Sequence, residues 1–155
     1  MFSIGDTVCY PMHGIGTIES IEVQDVLGKS AEYYVLRFVS SRMTAMIPVE
    51  GAERVGLRHV VPSGECENII KYYKSTPPNN GSDNWNQRYR DNLDKLRLGD
   101  PYSVVDVVLC LNSRDCGKGL SSGERKMLQT AKSILMSELS VAYGKDVDEI
   151  ELLLG

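Results

Sequence analysis

The sequence is poor in the residues that do chemistry. Among 155 residues there are two histidines, His13 and His59, and neither stands in a serine, cysteine or acid motif. No nucleophile–base pair is therefore written into the chain. The four cysteines, Cys9, Cys66, Cys110 and Cys116, make no CxxC pair and no Cys/His group with zinc-finger spacing. They read as free thiols of a reducing compartment. The stretch 146–151 is acidic but lacks an EF-hand pattern, and Gly14-Ile15-Gly16 is a fragment of a phosphate loop followed by strand-like sequence. No metal, no cofactor and no enzymatic activity is expected. No apolar run approaches the roughly 18 residues of a membrane helix, so no membrane association is expected. The opening MFSIGDTVCYPMHGIG has neither a basic n-region nor an apolar h-region. No signal peptide is expected, and the cytoplasm is the default compartment.

An excess of positive charge is missing too, since the net charge is −4. Its distribution is uneven. Residues 85–132 carry nine basic against six acidic side chains, while residues 133–155 carry one against five. A modest basic segment thus lies between acidic ones, and a nucleic-acid face could sit there. The 42% hydrophobic and 25% charged composition excludes a disordered chain and leaves a globular one.

The first sixty residues read as short strands: Thr7–Tyr10, Ile15–Val23, Glu32–Val39, Met43–Val49 and a short fifth from Leu57 to Val61. Ile15–Val23 alternates, yet neither of its faces is purely apolar. After Pro62 the pattern turns helical. Helices are predicted from Glu65 to Lys74, from Asp83 to about Leu98 with Ser82 as cap, and from Pro101 to about Asp115 with Asp100 as cap. Ser121-Ser122-Gly123-Glu124 is a capping-box pattern that opens a helix ended by Gly144, and Asp146 can cap a last one. The expected architecture is α+β in two domains. Residues 1–62 form a small, strongly bent antiparallel sheet or barrel, and residues 63–155 form a compact unit of about five helices.

Three places carry possible function. Asn84-Trp85-Asn86-Gln87-Arg88-Tyr89-Arg90 puts the one tryptophan in the first turn of a helix beside guanidinium groups. Such an indole can press an apolar surface into a DNA groove while the cations hold phosphates. Equally, Trp85, Tyr89 and Leu93 or Leu96 can be one buried stripe. Lys118, Arg125 and Lys126 flank a helix N-terminus, where phosphate is favoured, or are ordinary surface charge. Met43-Thr44-Ala45-Met46-Ile47-Pro48 reads as a strand ended by proline, which places it at an edge. Met46 is then either exposed for strand pairing with a partner or part of the core.

The order of motifs resembles the CarD/CdnL family of bacterial transcription regulators. It runs from Gly5-Asp6-Thr7-Val8-Cys9-Tyr10-Pro11 and His13-Gly14-Ile15-Gly16 through Tyr34-Val35-Leu36-Arg37, Met46-Ile47-Pro48 and Val55-Gly56-Leu57-Arg58. It continues with Asn84-Trp85, Arg88-Tyr89-Arg90, Gly119-Leu120-Ser121, Gly123-Glu124 and Met127-Leu128. The resemblance spans nearly the whole chain.

It implies a Tudor-like N-terminal domain that binds the β subunit of RNA polymerase. It also implies a helical C-terminal domain that meets promoter DNA at the upstream edge of the transcription bubble, without sequence specificity. Carried over, Trp85 is a minor-groove wedge that slows bubble collapse, and Arg88 and Arg90 lie on phosphates. Arg114, Lys118, Arg125 and Lys126 support them. Gln24, Val26, Thr44, Met46 and Pro48 form the polymerase-binding set. Some relatives carry arginine where this chain has Met46, and a basic residue near Gln24 or at Gln87. An apolar strand-pairing contact and a weaker DNA contact are therefore expected here. The contrasting reading is an adaptor on RNA polymerase whose helical domain binds protein and whose Trp85 is core.

Overall fold

A computed structural model describes all 155 residues. The strand-forming runs of the first sixty residues become β1 (Thr7–Tyr10), β2 (Gly14–Val26), β3 (Lys29–Phe38), β4 (Thr44–Pro48) and β5 (Arg58–His59). They pair antiparallel in the order β4-β3-β2-β1-β5, so β4 and the two-residue β5 are the edges.

Register explains why the alternation of β2 looked impure. A bulge between Ile18 and Ser20 shifts the pairing with β3. One extra residue flips the parity of every side chain beyond it. Ile18 and Ile21 therefore share a face, opposite Leu36 and Tyr34. Ile18, Leu36, Tyr34 and Ile47 form the sheet core with Phe2, Val8, Ala52 and Leu57. Beyond the bulge the β2–β3 hairpin leaves this core, and every residue from Ile21 to Glu32 is exposed. Its turn is Leu27-Gly28, both at positive φ, as a two-residue hairpin turn matching the sheet twist requires.

Five helices follow: α1 (Ser63–Ser75), α2 (Trp85–Leu98), α3 (Pro101–Gly117), α4 (Ser122–Tyr143) and α5 (Val147–Leu154). Asp100, Ser121 and Asp146 cap α3, α4 and α5 as their sequences predict. The cap of α2 differs. Asn84 Oδ1 accepts from Gln87 N at 3.1 Å, and the Ser82 hydroxyl accepts from Asn84 N instead. The helix therefore begins at Trp85, not at Asp83. The apolar spacing of α3 and α4 builds the core with α1, α2 and α5. Val104, Val105, Val108, Leu111, Met127, Ala131, Leu135 and Leu139 meet Ile69, Leu96 and Ile150 there.

The sheet and the helices are joined by a defined contact. The Arg58 guanidinium, at the sheet edge, donates to Glu138 of α4 at 2.6 and 2.8 Å and to the Gly99 carbonyl at 2.9 and 2.7 Å. Glu138 also accepts the Val61 N–H at 3.1 Å. Gly99 ends α2 in the left-handed region, φ 72°, and a Cβ there would lie 2.5 Å from Pro11 Cγ. Only glycine meets both demands at this position.

Candidate functional site

Two surfaces gather the side chains singled out in the sequence. The first is the outer face of the sheet. Residues directly opposite in an antiparallel ladder point to the same side. Val35 pairs with Met46 on one flank and Ser20 on the other, and Tyr33 pairs with Pro48 and Glu22. Thr44, Met46 and Pro48 therefore share one face with Glu22, Gln24 and Val26. All five expected residues, Gln24, Val26, Thr44, Met46 and Pro48, are exposed. Met46 keeps 45% of its surface, so it is no core methionine, while its neighbour Ile47 is buried on the other face. β4 has a strand on one side only, which leaves half of its backbone donors and acceptors open. Sequence reasoning missed Tyr33 and Val35, the partly buried floor of this face. Register was the signal needed, and it is set by the bulge.

The second surface is the end of the helical unit where α2 starts, α3 ends and α4 starts. The Asn84 cap places Trp85 at the first helical position. The indole N–H donates to the Ser121 hydroxyl, the cap of α4, at 3.0 Å. Its ring stacks on Tyr89, centroids 5.5 Å apart and planes at 24°. The indole remains 45% exposed. Asp83, just before α2, reaches Lys118 at the end of α3 at 3.9 Å, both well exposed. Arg125, in the first turn of α4, turns its Nε to the Leu120 carbonyl at 3.4 Å.

Arg88 is a correction. It was expected on a phosphate, but it is only 3% exposed. Its guanidinium forks onto Glu124 of α4, Nε to Oε2 at 2.7 Å and Nη2 to Oε1 at 2.9 Å. Its remaining Nη1 donates to the Ser82 carbonyl at 2.9 Å. The hydrogen bonds and charge of Arg88 hold the Glu124 carboxyl below the ordinary glutamate range. Glu124 in turn raises Arg88 further, so the pair is ionised. A guanidinium so buried is not presented to a phosphate. Ser121 and Glu124 have the spacing of a capping box. Ser121 does accept the Glu124 N–H at 3.2 Å, but the carboxylate serves Arg88 rather than the cap backbone.

The other expected cations stay on the surface or near it. Lys118, Arg125 and Lys126 are exposed at this end, and Arg114 is half-buried one turn before the end of α3. Arg90 is exposed too, but at 3.6 residues per turn it lies about 140° round α2 from Trp85. Burial pushes the Cys9 thiol up to about 11, against the nearby Arg58 charge, so it is not a thiolate nucleophile. No group of three or more His, Cys, Asp or Glu side chains is placed to hold a metal ion.

Residues 2–61 match the CarD-like/TRCF RID domain family, and residues 69–155 match the family described as CarD, C-terminal domain. A curated relative, YdeB of Bacillus subtilis (strain 168), is a candidate transcription factor by its name. It is 37% identical over 147 residues, covering 93% of this chain and 94% of its own. The chain belongs to the CarD/CdnL family. The CarD-like/TRCF RID match contains the whole sheet, including β4. The CarD C-terminal match contains Trp85 and every expected cation near it. Two solved structures resemble the N-terminal part. One is the solution NMR structure of the 72-residue N-terminal domain of Myxococcus xanthus CarD, 25% identical, covering 38% of this chain and 79% of that one, with a TM-score of 0.34. The other is CdnLNt from the same organism, 38% identical, covering 39% and 86%, also with a TM-score of 0.34.

Proposed function

We propose that this CarD-family chain is a transcription regulator that holds RNA polymerase with its sheet and promoter DNA with its helices. The outer face and open edge of β4, bearing Thr44, Met46 and Pro48, with Gln24 and Val26 beside them, dock on the polymerase β subunit. An exposed edge strand can add to a partner's sheet, with main-chain hydrogen bonds giving affinity and alternate side chains giving specificity. Trp85 enters the minor groove at the upstream edge of the transcription bubble. Arg114, Lys118, Arg125 and Lys126 supply the phosphate contacts, and Arg90, on another side of α2, does not.

One observation carries this reading. The chain's single tryptophan is not in the helical core but half-exposed at a helix start, among cations. An apolar side chain in that position suits insertion at a DNA step, and apolar wedges of this kind partly unstack the duplex. The net charge of −4 is compatible, because a protein tethered to polymerase gains effective concentration and needs only a weak DNA contact of its own. A factor that binds the open complex better than the closed one shifts the equilibrium by that difference, about 1.4 kcal/mol for each tenfold.

Two variants separate the two contacts. Met46→Asp stays folded and loses co-purification with polymerase, while Trp85→Ala co-purifies as wild type does. Retention of Met46→Asp on polymerase would contradict the β4 docking. Protection of Trp85 from acrylamide quenching in the free protein would contradict the exposed wedge and favour the adaptor.

A further inference from the structure

The indole of Trp85 donates to a hydroxyl that a buried ion pair also touches. Ser121 stands at the junction. Its oxygen accepts from the Trp85 Nε1–H at 3.0 Å and from the Glu124 N–H at 3.2 Å, and its hydrogen points to Glu124 Oε1 at 3.3 Å. A hydroxyl has one donor and two acceptor sites, so all its capacity is used. Glu124 Oε1 is itself gripped by Arg88 Nη2, and Arg88 lies one helical turn after Trp85 on the same side of α2. A closed circuit thus runs from Trp85 to Ser121, to Glu124, to Arg88 and back along α2. Tyr89 packs on the other side of the indole, and no buried side-chain polar atom is left without a partner.

A buried ion pair is weak evidence for stability, since well-packed apolar residues of similar volume often do as well or better. Bidentate geometry, by contrast, fixes orientation. Here the fixed orientation is passed through one hydroxyl to an exposed aromatic ring. We propose that Arg88 and Glu124 are positioning residues. They set the Ser121 hydroxyl, and through it the indole of Trp85, in a single pose before DNA arrives. The role in DNA binding rests on the function proposed above, while the pose of the indole in the free protein does not. Pre-setting removes the cost of ordering a large side chain at the moment of contact.

Because Trp85 is the only tryptophan, its fluorescence reports on this pose directly. The test compares wild type with Ser121→Gly, Ser121→Thr and Arg88→Lys, reading time-resolved anisotropy of Trp85 and affinity for a short duplex–single-strand fork. Glycine is a tolerated N-cap but offers the indole no acceptor. Threonine keeps the hydroxyl. Lysine keeps the charge without the fork. Ser121→Gly and Arg88→Lys, with circular dichroism unchanged, are expected to add fast local depolarisation of the indole. Both are expected to bind the fork about threefold to tenfold more weakly, the scale of one hydrogen bond. Ser121→Thr restores the slow decay. Wild-type anisotropy decays in both Ser121→Gly and Arg88→Lys would overturn the proposal, and so would failure of Ser121→Thr to restore what Ser121→Gly loses. If Arg88→Lys does not fold, the Ser121 pair decides alone. Trp85→Ala binding the fork as tightly as wild type would overturn the DNA reading only, and the anisotropy result would still decide the positioning.

Discussion

The molecule uses one interaction twice, in two regions with different tasks. Arg88–Glu124 and Arg58–Glu138 are both bidentate forks onto a glutamate of α4. The first lies inside the helical unit with both side chains sealed from water, 4% and 1% exposed. The second lies between sheet and helices with Arg58 at 27%. What differs is the remaining duty of each carboxylate. Glu124 takes the hydroxyl that holds Trp85, whereas Glu138 takes the Val61 N–H, where the chain passes from sheet to helix. One fork is therefore linked through Ser121 to an exposed side chain of the candidate DNA-binding surface. The other fixes the sheet, with its β4 edge, against the helices, with their tryptophan. The proposed function, contact with polymerase and DNA at once, needs both distances defined.

The two forks differ most when the carboxylate of each is removed in turn. Glu124→Gln leaves a buried, unpaired guanidinium and is expected to cost about 3–5 kcal/mol in urea unfolding. Arg88→Met with Glu124→Leu should regain most of that, because no charge is then left buried. Glu138→Gln should cost less, about 1–3 kcal/mol. Arg58 keeps its bonds to the Gly99 and His59 carbonyls and is partly hydrated. Its main effect should be a looser joint, seen as a larger radius of gyration by X-ray scattering. Equal losses for Glu124→Gln and Glu138→Gln would remove the distinction between the sealed fork and the open one.

Acid sharpens the same contrast more gently. Glu124 has a folded-state pKa below its unfolded one, so its contribution is fully present above the ordinary glutamate range. That contribution is lost as pH falls below this range through the lowered value. Wild type should lose stability across that window by more than the Arg88→Met, Glu124→Leu double variant does. Parallel curves would contradict an ionised pair.

The smallest effect is expected at Lys118, whose contact with Asp83 is long and solvated. Lys118→Ala should leave the melting temperature unchanged and lower the salt slope of fork binding by about one. An unchanged slope would remove Lys118 from the phosphate contacts.

Local chemistry made much of the fold readable before any coordinates. Asp100-Pro101, Ser121 and Asp146 are caps whose side chains act within three residues, so their sequences suffice. The start of α2 was misread because Ser82 and Asn84 are both good caps two residues apart. Their roles are divided by a turn that ties Ser82 to Asn84 N. The impure alternation of β2 has a cause that sequence does not display, the bulge before Ser20 and the departure of the hairpin from the core. Arg88 shows the limit most clearly. Its charge and its place one turn from Trp85 suggested a phosphate contact, but its partner is 36 residues away in sequence. Only the packing of α2 and α4 against α3 brings Glu124 to it. Met46 and Trp85 each had a core reading and a surface reading, and burial decides both in favour of the surface.

In the proposed function the half-exposed indole of Trp85 slows collapse of the open promoter complex. The most direct measurement is the half-life of that complex on a promoter with a weak bubble, with cognate polymerase, comparing no factor, wild type and Trp85→Ala. A longer half-life is expected with wild type alone, while Trp85→Ala binds polymerase equally well. An equal lengthening by Trp85→Ala, or none by wild type bound to polymerase, would contradict it.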